Sequence, residues 1–239
     1  MWAFPLAAGV VATAFAAQLG RRFAARRGPF HALWAVAMAM YALASFAVAL
    51  GMVDGWTRLE FQAFWVLGAV LNVPFLAAGE VALLARHRNV AATLWLVLIF
   101  VTAYALTTTM SAAFDDQALA QELPSGREVF GAGSPAHRLP QLVSIPSYLI
   151  LVGGVIWSAW RMRGREELRG RFVGALWIAV GATVIAGVGS AFAATGNAAA
   201  FSLSLLAGIS TMFWGFVRAS RTSASVAAGR PVVLGSSTG

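Results

Sequence analysis

The stretch FHALWAVAMAMYALASFAVALG, residues 30–51, decides the fold because it contains no Asp, Glu, Lys or Arg. About 20 consecutive apolar residues are enough to cross the hydrocarbon core of a bilayer as an α-helix. Seven such runs occur along the chain, at about residues 2–20, 30–51, 61–85, 90–113, 141–160, 172–194 and 197–217. They are too long for transmembrane strands, and they lack the alternation of polar and apolar residues that such strands show. The sequence therefore predicts an all-α bundle of seven transmembrane helices.

The composition supports a membrane protein. Of the 239 residues, 59% are hydrophobic and 11% are charged, and the mean hydropathy is +0.75. A soluble domain has about 45–50% apolar and about 25% charged residues. The lipid bilayer is thus the predicted partner. The net charge of +8 comes from arginines in short connections, with no basic groove lined by aromatic residues, so nucleic acid is not an expected partner.

The arginines predict the orientation of the bundle. Fourteen of the seventeen follow the first, third, fifth and seventh runs, and the other three are Arg58, Arg127 and Arg138. Because connections rich in Lys and Arg stay in the cytoplasm, the N-terminus is expected outside and the C-terminus inside. The use of Arg without Lys, together with abundant Ala and Gly, indicates GC-rich coding. The expected location is therefore the plasma membrane of a bacterium.

Several kinds of chemistry are excluded by residues that the chain lacks. There is no Cys for a thiol nucleophile or a thiolate metal site, and no Lys for the Schiff base of a retinal protein. His31 and His87 lie at the ends of runs and His137 lies in a loop, so neither a haem nor a metal site is expected. No catalytic residue and no cofactor are predicted.

A shallow pocket is predicted on the outer side, where polar residues end the fourth run and begin the fifth. Its candidate residues are Thr107, Thr108, Thr109, Ser111, Phe130, Gln141, Ser144 and Tyr148. Pro146 lies within the fifth run, where its missing N–H frees a carbonyl and favours a kink beside a cavity. The alternative is that the Thr and Ser hydroxyls bond to carbonyls of their own helices.

The outer loop, residues 114–140, is expected to be ordered from Pro124 to Leu139. Val129 and Phe130 lie between Gly-rich turns, and an exposed apolar pair is disfavoured beside a membrane. Phe130 is expected to pack on the fourth and fifth spans and to close the pocket. The tail, residues 218–239, is small, polar and rich in Gly, which predicts a disordered cytoplasmic segment.

Small residues recur every fourth position in the sixth run, where they favour close helix packing in lipid. One stripe is formed by Ala182, Ala186, Ser190 and Ala194, and a neighbouring one by Thr183, Gly187 and Ala191. The expected partner of these stripes is the seventh span of the same chain, reached through the short TGN turn.

Glu80 is an acidic residue inside the apolar segment NVPFLAAGEVALLARHRN, residues 72–89. It precedes Arg86 by six residues, or about 9 Å of helix rise, and so lies near the inner edge of its span. Pro74 is expected to kink the helix above it. We expect Glu80 to face the bundle and to pair with an arginine of another inner connection, with the candidates Arg21, Arg22, Arg161 and Arg163. The alternative is a carboxylate that couples to a proton or a substrate.

Two resemblances bear on function. The dipeptide Pro140–Gln141, the outside N-terminus and the length resemble seven-span sugar and amino-acid carriers of the PQ-loop and SWEET type, which imply an arrangement of three, one and three spans. The segments ELPSGREVFG (122–131) and IWSAWRMRGR (156–165), with a Pro-containing and a Gly-rich span, resemble small seven-span proteins of GC-rich bacteria, to which no activity is attached.

The favoured function is that of a non-enzymatic sensor or accessory subunit, whose further partner is another membrane protein or a small solute. The alternatives are a small-solute carrier and a membrane enzyme that acts on a lipid or isoprenoid. Pseudo-symmetry between the first three and last three spans would favour the carrier. A water-filled cavity holding a carboxylate would favour the enzyme.

Overall fold

The structure is a computed structural model, and it describes residues 1–85, 88–163 and 169–228. Of residues 26, 88, 169–171 and 221–228 it describes the backbone alone. These ranges contain no strand. Their α-helices are Ala3–Arg26, Pro29–Asp54, Arg58–Ala63, Asn72–Leu84, Arg88–Ser111, Gly126–Phe130, Pro135–Leu139, Ile145–Met162, Arg169–Thr183, Ser190–Ala194 and Ala198–Ala228. Between them lie the π-helical segments Phe64–Leu71, Pro140–Ser144 and Val184–Gly189 and the 3₁₀-helix Asp116–Ala120.

Seven helical stretches are long and apolar enough to cross a membrane, which confirms the predicted all-α seven-helix bundle. Spans one to seven are Ala3–Ala25, Pro29–Asp54, Arg58–Leu84, Asn89–Ser111, Pro135–Met162, Phe172–Ala194 and Ala198–Ser220. The chain is thus a multi-pass membrane protein. Span five begins before the predicted residue 141, because the helix Pro135–Leu139 runs directly into a π-helical segment.

Six of the spans follow one another in a ring, in which each packs against the next: one, two, three, five, six, seven and again one. Span four packs against span three and against the helix Pro135–Leu139 at the start of span five. Within the most apolar segment of span four, 11% of the residues are buried, compared with 61% in spans two and three. Span four therefore lies outside the ring, and spans two and three are the most buried of the seven.

The bundle has two unlike ends. Connections between spans two and three, four and five, and six and seven lie at one end, which we call the loop end because it carries residues 112–134. Spans one, three, five and seven end at the opposite end, which we call the arginine-rich end because fourteen of the seventeen arginines follow these spans in the sequence. At the loop end, Thr57 and Glu60 form a capping box that begins span three. Gly196, with a φ of 68°, turns the chain between spans six and seven.

Spans six and seven pack through glycines. A Cβ added at Gly181 would lie 2.5 Å from the carbonyl oxygen of Gly208, and one added at Gly174 would lie 2.6 Å from that of Gly215. The expected packing of span six on span seven is present, but the face differs from the two predicted stripes. Of those stripes, Ala182 is buried, whereas Ser190 is exposed. Glycines allow closer backbone approach than alanines, so they determine the face that packs.

The last helix continues to Ala228, past the predicted beginning of the tail at residue 218. The predicted tail is therefore helical over its first part. Its remainder, residues 229–239, lies outside the described residues.

Candidate functional site at Glu80

Glu80 lies in the last turns of span three and is 3% exposed. It precedes Leu84, the final residue of the helix Asn72–Leu84, by about one turn, or about 6 Å of helix rise. Its side chain packs against span five at a glycine: a Cβ added at Gly154 would lie 2.7 Å from Cγ of Glu80 and 3.5 Å from Oε1. The absence of a side chain at Gly154 is therefore what makes room for Glu80.

The carboxylate of Glu80 has no hydrogen bond and no ion pair with any described residue. The predicted pairing with Arg21, Arg22, Arg161 or Arg163 is thus not formed. Arg22 instead donates to Ser220 Oγ at 2.7 Å and lies over the ring of Phe216. The other three arginines are exposed at the arginine-rich end, where water solvates them at a lower cost than burial beside Glu80. Arg86 and His87 lie outside the described residues.

On the side of span three that faces span two, the polar groups do have partners. Asn72 Nδ2 donates to the carbonyl of Ala37 at 2.7 Å, and Trp34 Nε1 donates to the carbonyl of Leu76 at 3.0 Å. Gly79 leaves space for the indole of Trp34, because a Cβ at this position would overlap the ring. These contacts hold span three firmly against span two. Glu80, one residue after Gly79, is the polar group that they leave without a partner.

Spans three and five exchange hydrogen bonds towards the loop end. Pro74 has no N–H, so the carbonyls of Val70 and Ala69, its acceptors in an α- or a π-helix, lose a donor. Ser144 of span five supplies one, with Oγ 2.7 Å from the oxygen of Ala69 and 3.0 Å from that of Val70. The proline of one helix is thus compensated by a hydroxyl of its neighbour, as membrane helices require.

The reciprocal hydrogen bond involves Pro140. Its missing N–H leaves the carbonyl of Ala136 without its helical donor, and Trp65 Nε1 of span three donates to that oxygen at 3.1 Å. Both π-helical segments, Phe64–Leu71 and Pro140–Ser144, lie at this contact. We call the two cross-helix interactions, Ser144 with Ala69 and Val70, and Trp65 with Ala136, the proline bridges.

The proline bridges and Glu80 belong to the same pair of helices. Val70 precedes Glu80 by ten residues, and Ser144 precedes Gly154 by ten residues, which is about 15 Å of helix rise in each case. Spans three and five therefore run side by side in the same direction. They are joined by hydrogen bonds towards the loop end, and by the contact of one carboxylate with one glycine towards the arginine-rich end.

The residues of the predicted outer pocket have different partners and differ in burial. Ser111 is exposed and its hydroxyl bonds to its own helix at the carbonyl of Thr107, as the alternative interpretation expects. Ser144 bonds to span three, and Tyr148 Oη lies 2.9 Å from Thr183 Oγ1 of span six. The remaining members divide as follows: Thr107 and Gln141 are exposed, Thr108 is half-buried, Thr109 is buried and Phe130 is buried.

The outer loop is ordered from Pro124 to Leu139 and contains two short helices. Phe130 is buried, and its ring contacts Phe61 and Trp65 of span three and Phe114 of the loop. Its helix, Gly126–Phe130, also packs against the helix Pro135–Leu139 at the start of span five. The ring contacts on span three were not predicted, and they arise because aromatic residues begin that span.

A depression of about 610 Å³ lies on the outer loop, lined by residues 113–117 and 128–131. Of the predicted pocket residues it contains Phe130. Three of its residues are acidic, namely Asp115, Asp116 and Glu128, but among the described residues no group of three acidic or His side chains could hold a metal ion. The Ser125 hydroxyl that bonds to Glu128 lowers the pKa of that carboxyl, with a smaller contribution from Gln121. This depression does not include Glu80.

No family model matches the chain, and no curated protein and no solved structure matches it either.

The residues that analysis of the sequence missed are Gly154 and Trp65, together with the true partner of Ser144. A signal was present for each of them. A proline inside a membrane helix identifies the carbonyl four residues earlier as an acceptor in need of a donor. Adjacent glycines inside span five indicate a position where a neighbouring side chain approaches the backbone.

Proposed function

We propose that the chain is a non-enzymatic multi-pass protein of a bacterial plasma membrane, a sensor or accessory subunit that responds through Glu80. The observation that carries this proposal is the burial of this carboxylate without a described partner. Ionisable residues inside membrane spans are costly and in general mark a function. A purely structural carboxylate would be expected to have a partner, because an unpaired buried charge destabilises the fold.

The ligand that suits Glu80 is a proton. Gly154, which its side chain contacts on span five, offers no side-chain oxygen, and among the described residues no group of three His, Asp or Glu side chains could hold a metal ion. A magnesium or calcium ion would require several oxygen ligands around it, whereas a proton requires one carboxylate oxygen. Uptake of the proton removes the charge and with it most of the cost of burial. Glu80 would therefore exchange a neutral buried state for a charged state that needs water.

The orientation of the proposed protein follows from its arginines. Fourteen of seventeen follow the first, third, fifth and seventh spans in the sequence, and the positive-inside rule then gives an outside N-terminus and a cytoplasmic C-terminus. Glu80, about one turn from that end, would sample protons of the cytoplasm. Kinship with small seven-span proteins of GC-rich bacteria is part of the proposal and agrees with this location.

Difference infrared spectroscopy of the protein in lipid nanodiscs tests the role of Glu80 directly. Over a titration from about pH 4 to about pH 9, which spans the usual range of perturbed carboxyls, we expect one buried carboxylic acid to lose its C=O band in the wild type. Glu80→Gln should lack this band, and the matched control Glu122→Gln, at an exposed loop position, should retain it. Identical spectra for Glu80→Gln and the wild type would refute the proposal.

A small-solute carrier is the second candidate, favoured by the position of span four outside a ring of six spans. Three spans, one linking span and three spans is the arrangement expected of a carrier of the PQ-loop or SWEET type. Proteoliposomes loaded with a labelled sugar or amino acid, and with a pH-sensitive dye, separate the two candidates. Solute or proton flux that disappears in Glu80→Gln would favour the carrier over the sensor.

A further inference from the structure

We propose that the part of span five from Val155 to Met162 is a movable arm, which swings on Gly153 and Gly154 as Glu80 changes its protonation, while the proline bridges hold the other halves of spans three and five together. This inference rests on the proposed proton response of Glu80, and it identifies the part of the molecule that moves in that response. The arm carries the exposed Arg161 near its end, so movement of the arm would displace this side chain at the arginine-rich end.

The fixed part is the loop-end half of the two spans. The proline bridges join the helices from both sides, since span three donates through Trp65 and span five donates through Ser144. Trp65 is further held by the loop, because a Cβ at Gly126 would overlap its ring. Breaking either bridge would leave a carbonyl without a donor, in a setting where that costs several kcal/mol. This half of the interface therefore resists separation.

The hinge is the glycine pair of span five. Gly residues weaken a helix interior because they have the greatest backbone freedom to lose, and paired small residues are common positions of helix bends. The two glycines differ in their surroundings. A Cβ added at Gly154 meets Glu80, whereas a Cβ added at Gly153 meets no atom within 4 Å. Gly153 is thus free of a packing role, and its conformational freedom can be tested separately.

The arm has little packing to lose when it moves. Val155 and Ala159 are buried and face the bundle, whereas Ile156, Trp157 and Trp160 are 50%, 60% and 70% exposed and face lipid. Within the most apolar segment of span five, 17% of the residues are buried. Movement of the arm would therefore separate a small apolar face and admit water beside Glu80.

No other described charge faces Glu80. Span five has no ionisable side chain between Tyr148 and Arg161, span two places Trp34 beside Gly79, and the ring of Phe75 contacts Trp95 of span four. Towards the arginine-rich end, span two carries His31 beside Gly28, and the side chain of Arg88 at the start of span four is not described. A charged Glu80 would consequently require water, and span five, with 17% of its most apolar segment buried against 61% for span two, is the more exposed of these two neighbours.

Distances between spin labels test the arm, and the natural chain provides a clean background because it has no Cys. One label pair replaces the exposed Leu83 of span three and Ile156 of the arm. The other replaces the exposed Leu59 of span three and Leu142 of span five, at the loop end. In nanodiscs, we expect the Leu83–Ile156 distance to change by about 2 Å or more between low and high pH. The Leu59–Leu142 distance should stay constant, and Glu80→Gln should abolish the change in the first pair.

Two matched pairs of variants locate the hinge and the fixed end. Gly153→Ala should reduce the movement of the arm without altering the infrared band of Glu80. Ser144→Ala should make the Leu59–Leu142 distance broader and dependent on pH. Its control is Ser147→Ala, because the Ser147 hydroxyl bonds to Val143 of its own helix at 2.7 Å and has no part in the proline bridges.

The outcomes separate the two proposals. If the infrared band is absent from the wild type, both the proton response and the arm are refuted. If the band titrates but the Leu83–Ile156 distance stays constant, or if both label pairs move equally, the arm is refuted and the proton response stands. Full movement in Gly153→Ala would refute the glycine hinge.

Discussion

The two ends of the contact between spans three and five are built in opposite ways. At the loop end, the carbonyls that Pro74 and Pro140 deprive of a donor find one on the neighbouring span, and aromatic rings fill the space around Phe61. At the arginine-rich end, a carboxylate lies buried without a described partner, and a glycine takes the place of a side chain. Polar groups with hydrogen-bond partners stabilise one arrangement of the helices. A buried polar group without a partner allows a small ligand to shift the equilibrium between two arrangements. The same pair of helices thus combines a stable end with a responsive one.

The largest effect should follow from removing the centre of the aromatic cluster. Phe61 is fully buried, and its ring contacts Trp56, Phe64, Trp65 and Phe130. Phe61→Ala should lower the free energy of unfolding by about 3–5 kcal/mol, because it creates a cavity where the rings cannot close in.

Thermal unfolding in mild detergent, followed by circular dichroism, measures this loss. The control is Phe100→Ala in span four, where the side chain is 71% exposed to lipid and the expected change is within about 0.5 kcal/mol. Equal losses in the two variants would mean that the loop-end cluster is not the stable part of the molecule.

The second largest effect should distinguish the adjacent glycines. Gly154→Ala places a Cβ against Glu80 and should lower the free energy of unfolding by about 1–3 kcal/mol, because the core is overpacked. Gly153→Ala meets no atom within 4 Å and should be neutral or stabilising by up to about 1 kcal/mol, because alanine favours the helix. The same thermal measurement applies to both variants. A loss for Gly153→Ala as large as that for Gly154→Ala would contradict the described contact with Glu80.

The sequence predicted most of the architecture because each apolar run has to bury its backbone polar groups in a helix, whatever its neighbours are. It also predicted an ordered loop from the exposed pair Val129 and Phe130. It did not predict which helices touch, and the errors follow from that. For Phe130, packing on spans four and five was expected, and its ring contacts on span three were not foreseen. The stripe with Ser190 was expected to pack, but glycines on another face allow a closer approach.

The site at Glu80 was predicted in part. Its position inside an apolar run is visible in the sequence, whereas its surroundings depend on the register between spans three and five. That register arises from Pro74 and Pro140, because each leaves a carbonyl that accepts a hydrogen bond from the other helix. An arginine partner was expected because a charge in a membrane usually pairs. Arg161, near the end of the arm, and Arg163, just after it, are exposed instead.

A smaller effect is expected at the loop end, where pH acts on the capping box of the helix Gly126–Phe130. The hydrogen bond from Ser125 lowers the pKa of Glu128 in the folded state, so the stability that it contributes is present above the unfolded pKa of about 4.3. It is lost as the pH falls through the lower, folded pKa. The protection of residues 126–130 against hydrogen exchange, measured relative to the intrinsic exchange rate at each pH, should therefore fall on acidification. Ser125→Ala should show a smaller fall in protection, and an equal fall would contradict this role of Glu128.

The smallest effect on stability is expected for Glu80→Gln, and its smallness is informative. Removing one member of a buried ion pair typically costs about 3–5 kcal/mol, because the other charge is left buried and alone. No described residue pairs with Glu80, and glutamine keeps its shape while removing a charge that would have to be desolvated. The free energy of unfolding at neutral pH should therefore change by less than about 1 kcal/mol or increase. A loss of the size expected for a broken ion pair would indicate a structural partner. Glu80 would then stabilise the arginine-rich end instead of responding to protons there.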